Sequence, residues 1–191
     1  MNHYYLISGL LSYFLWKTKD SSVFNSSDTM ALSPVDPNSY ARTDLVKTTH
    51  VHLDVEVDFS QQILKGHVII SFEKVDLEAS SVVMDARNLT ISKVSDAASG
   101  QVLDYELGSP SGYGEKLEVK LPSSVGKEFN IRIDYQTSPK SSALQWLKPS
   151  QTAGKKHPYV FSQCQAIHCR SMLPCQDTPA VKAPYTATIT A

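Results

Sequence analysis

An excess of positive charge is missing from this chain: 18 lysines and arginines stand against 19 aspartates and glutamates over 191 residues, for a formal net charge of -1. Nucleic acid and anionic membrane surfaces both reward clustered positive charge. Nucleic acid is therefore excluded as the main partner, and a membrane is not expected to be one. Cysteine is also scarce. The three present, Cys164, Cys169 and Cys175, lie close together and are odd in number, which excludes a secreted disulfide framework and points to a cytoplasmic location. No apolar run reaches the roughly 20 residues of a spanning helix. H-E-x-x-H, P-loop, G-x-S-x-G and G-x-G-x-x-G sequences do not occur, so no standard catalytic signature can be read directly.

What is present is the composition of a soluble domain, 41% hydrophobic and 19% charged, in a length that suits one domain with attached segments at about 150 residues per domain. Tyr4 to Trp16 (YYLISGLLSYFLW) is a continuous apolar run followed by Lys17 and Lys19. It is too short for an ordinary spanning helix. The length suits a signal-peptide core of about 7 to 15 residues, yet the preceding MNH carries no Lys or Arg and no A-x-A site follows. A weak signal or signal anchor, a short membrane or partner contact, and a non-native or variant leader all stay open. With the first of these, secretion or tethering through residues 4–16 is the alternative to the cytoplasm, and the sequons at Asn25 and Asn88 would then matter. The composition changes abruptly after Met30, and Met30-Ala31-Leu32-Ser33-Pro34 reads as a second beginning. Residues 1–30 are accordingly a leader, 31–44 an extended arm with Pro34 and Pro37 discouraging helix, and 45–191 the folded body.

That body is β. Val51, Leu53, Val55, Val57 and Phe59 alternate with polar residues, a period of two that puts one face in a core and the other in water. The Ser60-Gln61-Gln62 connection leads to a second alternating run, Val68, Ile70 and Phe72, which predicts a hairpin. Further short runs span Val82 to Met84, Leu89 to Val94, Val102 to Leu107, Leu117 to Leu121 and Phe129 to Tyr135, separated by turn signals. Even spacing without helical segments predicts an all-β fold, a curved antiparallel β-sandwich or saddle. Thr137 to Asp177 is irregular, the texture in which β scaffolds build binding sites. Alternation returns at Pro184 to Ala191, so the chain is expected to stop inside a strand and to be the front portion of something longer.

Chemistry must be sought in side-chain groupings. His50 and His52 share a strand face, which suits a metal only if a third ligand converges. Cys164, His168, Cys169 and Cys175 are zinc-compatible, but C-x4-C-x5-C lacks a C-x2-C knuckle. Buried reduced thiols and a Cys–His nucleophile are the other readings of this cluster. The longer blocks are more informative: TSPKSSALQWL (Thr137 to Leu147), FSQCQAIHCR (Phe161 to Arg170) and LPCQDTP (Leu173 to Pro179). Together they resemble the amino-terminal domain of the leukotriene-A(4) hydrolase branch of peptidase family M1, bifunctional zinc aminopeptidases and epoxide hydrolases, from about Ala31 to the last residue.

That resemblance implies a β saddle resting on a separate catalytic domain, with a Q-x-Q-A segment lining the substrate cleft. Here the segment is Gln163, Cys164, Gln165 and Ala166. By resemblance, Gln165 holds the amino end of a peptide, while Gln163 and Ala166 line a channel for peptide or lipid epoxide. A Gln amide suits this role, because it donates and accepts without supplying a reactive proton. The opposing reading is that both amides merely satisfy backbone groups in their loop. No catalytic residue and no metal ligand is assigned. The family's zinc ligands and glutamate base would lie beyond Ala191, so no cofactor is expected in this chain and hydrolysis by it alone is not. A missing catalytic domain as packing partner predicts an exposed apolar face and low solubility. The rival reading is a non-catalytic interaction module that binds a full-length homologue or another protein.

Overall fold

The structure, a computed structural model, describes residues 32–191. The leader reading of residues 1–30, including the apolar run 4–16, falls outside them. Ten strands run in order among the described residues: β1 (Val46–Asp58), β2 (Ile63–Lys74), β3 (Ser81–Ala86), β4 (Thr90–Asp96), β5 (Tyr105–Leu107), β6 (Glu115–Lys120), β7 (Glu128–Gln136), β8 (Leu144–Leu147), β9 (Tyr159–Ser162) and β10 (Tyr185–Thr190). They form a five-stranded sheet in the order β10-β1-β2-β7-β4, a three-stranded sheet β3-β6-β5, and a ribbon β8-β9. Buried residues of both larger sheets join in one core, with Phe72 and Phe129 stacked across β2 and β7 at 5.5 Å. Each such large apolar side chain contributes about 1.5–3 kcal/mol by leaving water. The all-β architecture expected from period-two patterning is therefore the one present.

The ladders are antiparallel except one, since β10 pairs in parallel with β1, Val51 opposite Tyr185 through Glu56 opposite Thr190. A parallel pair needs a long crossover rather than a tight turn, and the whole chain between the two strands supplies it. Within β1, Thr48 faces Phe72 and His50 faces Ser71, leaving Thr49 as a bulge. An extra residue flips the side-chain alternation. Val46 and Thr48 are buried before the bulge, and Leu53, Val55 and Val57 after it. This is why the sequence pattern becomes legible only from Val51, although the strand begins five residues earlier. At Gly66 a Cβ would overlap the Asp54 carbonyl oxygen, so β1 and β2 can approach there only around a glycine.

Three sequence expectations change in detail. The second strand extends to both sides of Val68–Phe72, and the run Val102 to Leu107 narrows to Tyr105–Leu107 plus an isolated bridge from Val102 to Ser95. The segment Thr137 to Asp177 is not wholly irregular, because β8 and β9 lie within it, Leu144 opposite Ser162 through Leu147 opposite Tyr159. Four-residue strands separated by a polar loop are too short to display a period. In the arm Ser39 and Ala41 are fully buried, and its fixation defines the site described next.

Candidate functional site

Arg170 is the largest fully buried side chain of the fold. Its Nε donates to Asp177 Oδ2 at 2.9 Å, Nη1 to the Tyr113 carbonyl at 2.6 Å, and Nη2 to the carbonyls of Asn38 and Asp177 at 3.0 and 3.1 Å. Asp85, near the end of β3, lies 3.5 Å from Nη1 and accepts from Ser39 Oγ, Tyr40 N and Asp177 N. Burial pushes both carboxyls above the ordinary range, while Arg170 and the surrounding donors pull the other way. A buried charge is tolerated only when paired and hydrogen-bonded, and here one guanidinium ties together the arm, β3, the Tyr113 turn and the segment Arg170–Thr178. Gly114 adjoins this cluster because a Cβ there would overlap the Ala86 carbonyl and meet Arg170 Cδ.

The same segment closes two free edges. Asp85 and Cys175 exchange backbone hydrogen bonds at 2.8 and 3.2 Å, covering the outer edge of β3. Gln176 reaches the bulged end of β1: its Oε1 accepts from Thr48 N and Thr48 Oγ1 at 2.9 Å each, and its Nε2 donates to the Val46 carbonyl at 2.8 Å. One side-chain amide thereby saturates a stretch of strand edge that β10 does not cover. Leu173 to Pro179 is a structural clamp.

A second latch joins the other two motif blocks. Ser171 Oγ receives the Ala143 N–H at 3.0 Å, contacts Ser141 Oγ at 3.0 Å and donates to the His168 carbonyl at 2.7 Å. His168 Nδ1 lies 2.7 Å from Ser142 Oγ. The buried Tyr135 hydroxyl donates to the Met172 carbonyl at 3.0 Å, and burial pushes its ionisation well above the phenol range. Between these anchors the loop Gln163–Ile167 is suspended, held by Gln163 N donating to the Ala143 carbonyl at 2.8 Å and His168 N to the Cys164 carbonyl at 2.9 Å. The Gln165–Ala166 peptide within it is cis.

Gln163, Gln165 and Ala166 are exposed, and Cys164 is half-buried. Among the described residues, neither Gln163 nor Gln165 makes an intrachain hydrogen bond through its side-chain amide. Of these four residues, Cys164 lines the principal groove, a trough of about 1070 Å³. It is lined by Val51, Leu53 and Val57 of β1, by β10 beside it, and by Met172, Leu173 and the three cysteines. The loop is thus held next to an apolar groove that Cys164 lines, with Gln163 and Gln165 exposed.

The cysteines are free. Cys164 is held far above the ordinary thiol range by its hydrogen bond to Cys169 and by burial. For Cys169 the bond with Cys164 works downward, but its bond to Cys175 and burial leave it well above the ordinary value. For Cys175 the bond with Cys169 is likewise outweighed by burial and by Asp177 and Asp85, and the thiol is pushed up to about 11. Three protonated thiols in an apolar wall behave as small hydrophobes and not as nucleophiles. His168 is directed to Ser142, and His52 Nδ1 lies 2.7 Å from Thr186 Oγ1 on β10. Among the described residues, no group of three or more His, Cys, Asp and Glu side chains is arranged to hold a metal.

The groove was not foreseen from the sequence. Its lining comes largely from strand faces whose alternation marks them as core, and Leu53, Val57, Leu64 and Ile70 are buried there. Tyr185 there is 45% exposed.

Residues 37–191 match the family described as Peptidase M1 N-terminal domain. The chain is 45% identical over 153 residues to leukotriene A-4 hydrolase of Xenopus laevis, covering 78% of this chain and 25% of that protein. It is 40% identical over 156 residues to leucine aminopeptidase 2 of Phaeosphaeria nodorum, covering 80% of this chain and 25% of that one. Its fold superposes on yeast LTA4 hydrolase in complex with bestatin with a TM-score of 0.73 at 32% identity, over 80% of this chain and 24% of that one. The chain spans about a quarter of the length of these relatives.

Proposed function

Because the chain belongs to the peptidase M1 N-terminal domain family, we propose that it is the substrate-binding β domain of a leukotriene-A(4) hydrolase-like aminopeptidase whose hydrolytic chemistry lies outside these 191 residues. In this reading Gln165 receives the free amino end of a peptide on its amide oxygen, Gln163 and Ala166 shape the channel beside it, and Cys164 closes the wall behind. A lipid epoxide would use the same channel, through apolar contact.

The observation that carries the reading is the freedom of the two amides. Loop glutamines that merely satisfied backbone groups would be spent as Gln176 is. Among the described residues, Gln163 and Gln165 instead have no side-chain hydrogen bond, which suits orientation of a polar substrate end. The zinc that the resemblance implies has no fitting ligand set among the described residues. Within these residues the role left to the chain is substrate binding. We place the protein in the cytoplasm, in keeping with three free, protonated cysteines.

The test is a chimera in which this chain precedes the remaining three-quarters of the frog relative. Aminopeptidase activity should appear, and Gln165→Ala should raise KM for a tripeptide more than it lowers kcat. A folded chimera with no peptidase activity, or a Gln165→Ala variant with unchanged kcat/KM, would sink the assignment. A second reading, a non-catalytic interaction module, is favoured by the apolar groove itself; co-purification of the chain with a full-length homologue would select it.

A further inference from the structure

Both ends of the loop that carries Gln165 are fastened to two consecutive residues. Gln163 N donates to the Ala143 carbonyl at 2.8 Å, and His168 Nδ1 lies 2.7 Å from Ser142 Oγ. Across the loop, His168 N donates to the Cys164 carbonyl at 2.9 Å. We propose that Ser142 and His168 form a positioning pair that holds Gln165 and Ala166 in the arrangement that meets substrate. The inference rests on the substrate-binding reading of Gln165 and adds two residues that this reading does not use.

The surroundings of the pair separate this role from a purely architectural one. Ser141 and Ser171 are buried, and they join the same two stretches of chain on their own: Ser141 Oγ donates to the Ser171 carbonyl at 2.8 Å, and Ala143 N donates to Ser171 Oγ at 3.0 Å. Those contacts hold the stretches together whether or not Ser142 meets His168. Ser142 is exposed and His168 half-buried. Water can replace either partner of a bond so placed, and its net contribution to global stability is small. What the pair adds is local. The His168 backbone is engaged by the Cys164 carbonyl on one side and, at 2.7 Å, by Ser171 Oγ on the other, so its ring is the contact that ties this end of the loop to the neighbour of the residue holding the other end.

The loop depends on such ties. Among the described residues its two glutamine amides make no intrachain hydrogen bond that could order it. A loop tied at one end samples arrangements besides the binding-competent one, and apparent affinity falls with the competent fraction. That loss is shared by ground state and transition state, so it raises KM and leaves kcat in place.

Hydrogen exchange on the full chain and kinetics of the chimera with the frog relative test the pair together. In the full chain Ser142→Ala, which also removes a 3.3 Å contact with Ser171 Oγ, should speed exchange of the Gln163 and His168 amides several-fold and leave β1, β2 and β7 unchanged. In the chimera Ser142→Ala and His168→Ala should each raise KM for a tripeptide several-fold at nearly constant kcat. The double variant should match either single one, because both remove one contact. His168→Asn, whose amide reaches the place of Nδ1, should recover most of the loss. Unchanged exchange at both amides overturns the proposal, and so does faster exchange throughout the strands, which would make the pair part of the architecture. A parental KM in Ser142→Ala beside a raised KM in Gln165→Ala overturns the pair alone. A parental KM in Gln165→Ala overturns the reading of Gln165 and, with it, the proposal that rests on it.

Discussion

Gln163–Ala166 and Arg170–Thr178 are neighbours in sequence and carry adjoining parts of one family signature, yet they are built on opposite terms. In the second, the large polar side chains are tied into the fold: Arg170 is fully buried with five hydrogen bonds, and the Gln176 amide is divided between Thr48 and Val46. In the first, the backbone is pinned at both ends, and among the described residues the amides of Gln163 and Gln165 have no hydrogen-bond partner. A signature of this kind mixes residues that hold a loop in place with residues that the loop presents. Only a hydrogen-bond inventory separates the two, and perturbing each side should separate them in solution.

The largest effect is expected at Arg170. Arg170→Met removes the buried guanidinium paired with Asp85 and Asp177. Breaking a buried pair by deleting one partner costs about 3–5 kcal/mol. Urea denaturation should show a loss of this size or an unfolded chain. A midpoint unchanged from the parent would mean that the cluster does not hold the clamp. Next comes Gln176→Ala, which strands the Thr48 N–H and the Val46 carbonyl at the β1 bulge. Each buried group left unpaired costs about 1–3 kcal/mol. Protection of the Thr48 amide against hydrogen exchange should fall together with the stability.

Acid should act more gently, through six carboxylates outside both segments. The raised Asp85 and Asp177 oppose it in part, because protonation favours their buried state. Asp44, Asp58, Glu73, Asp96, Glu118 and Asp134 are each held below the usual carboxylate range, in every case chiefly by a side-chain hydrogen bond, such as Arg42 to Asp44 and Arg132 to Asp134. Their folded values lie below their unfolded ones, so their contribution is complete above about pH 4, the unfolded carboxylate range, and is lost as pH falls through the folded values. Tm should decline on acidification from pH 5 to pH 2.5. Because these pairs are largely solvent-exposed, the decline should shrink at high salt. A Tm that holds steady over that interval would show the hydrogen bonds to be energetically idle.

How far the sequence could be read follows from the same distinction. Period-two patterning identifies a strand wherever one face is buried for several consecutive pairs, as at Val51–Phe59 and Phe129–Tyr135, and it located the hairpin through Ser60–Gln62. It loses the first part of β1, where the Thr49 bulge inverts the alternation, and it misses β8 and β9, four residues each. The parallel seat of β10 against β1 is a long-range choice with no local signal. At the site, the block FSQCQAIHCR pointed to the loop, but nothing in it distinguishes Gln163 and Gln165 from Gln176. That difference depends on Val46 and Thr48, more than 120 residues away in the chain.

The smallest predicted effect is therefore the sharpest test of the comparison. Gln163→Ala and Gln165→Ala remove side chains that make no intrachain hydrogen bond among the described residues and stand in solvent. Surface changes of that kind stay within about ±0.5 kcal/mol, so both variants should melt with the parent chain. Equality is informative because Gln176→Ala, the same chemical deletion eleven residues further on, should not be silent. If Gln165→Ala were as destabilising as Gln176→Ala, its amide would be serving the fold, and the case for substrate contact would lose its physical basis. A silent Gln165 that nevertheless governs KM in the chimera would leave substrate orientation as the reason for an exposed amide next to an apolar groove.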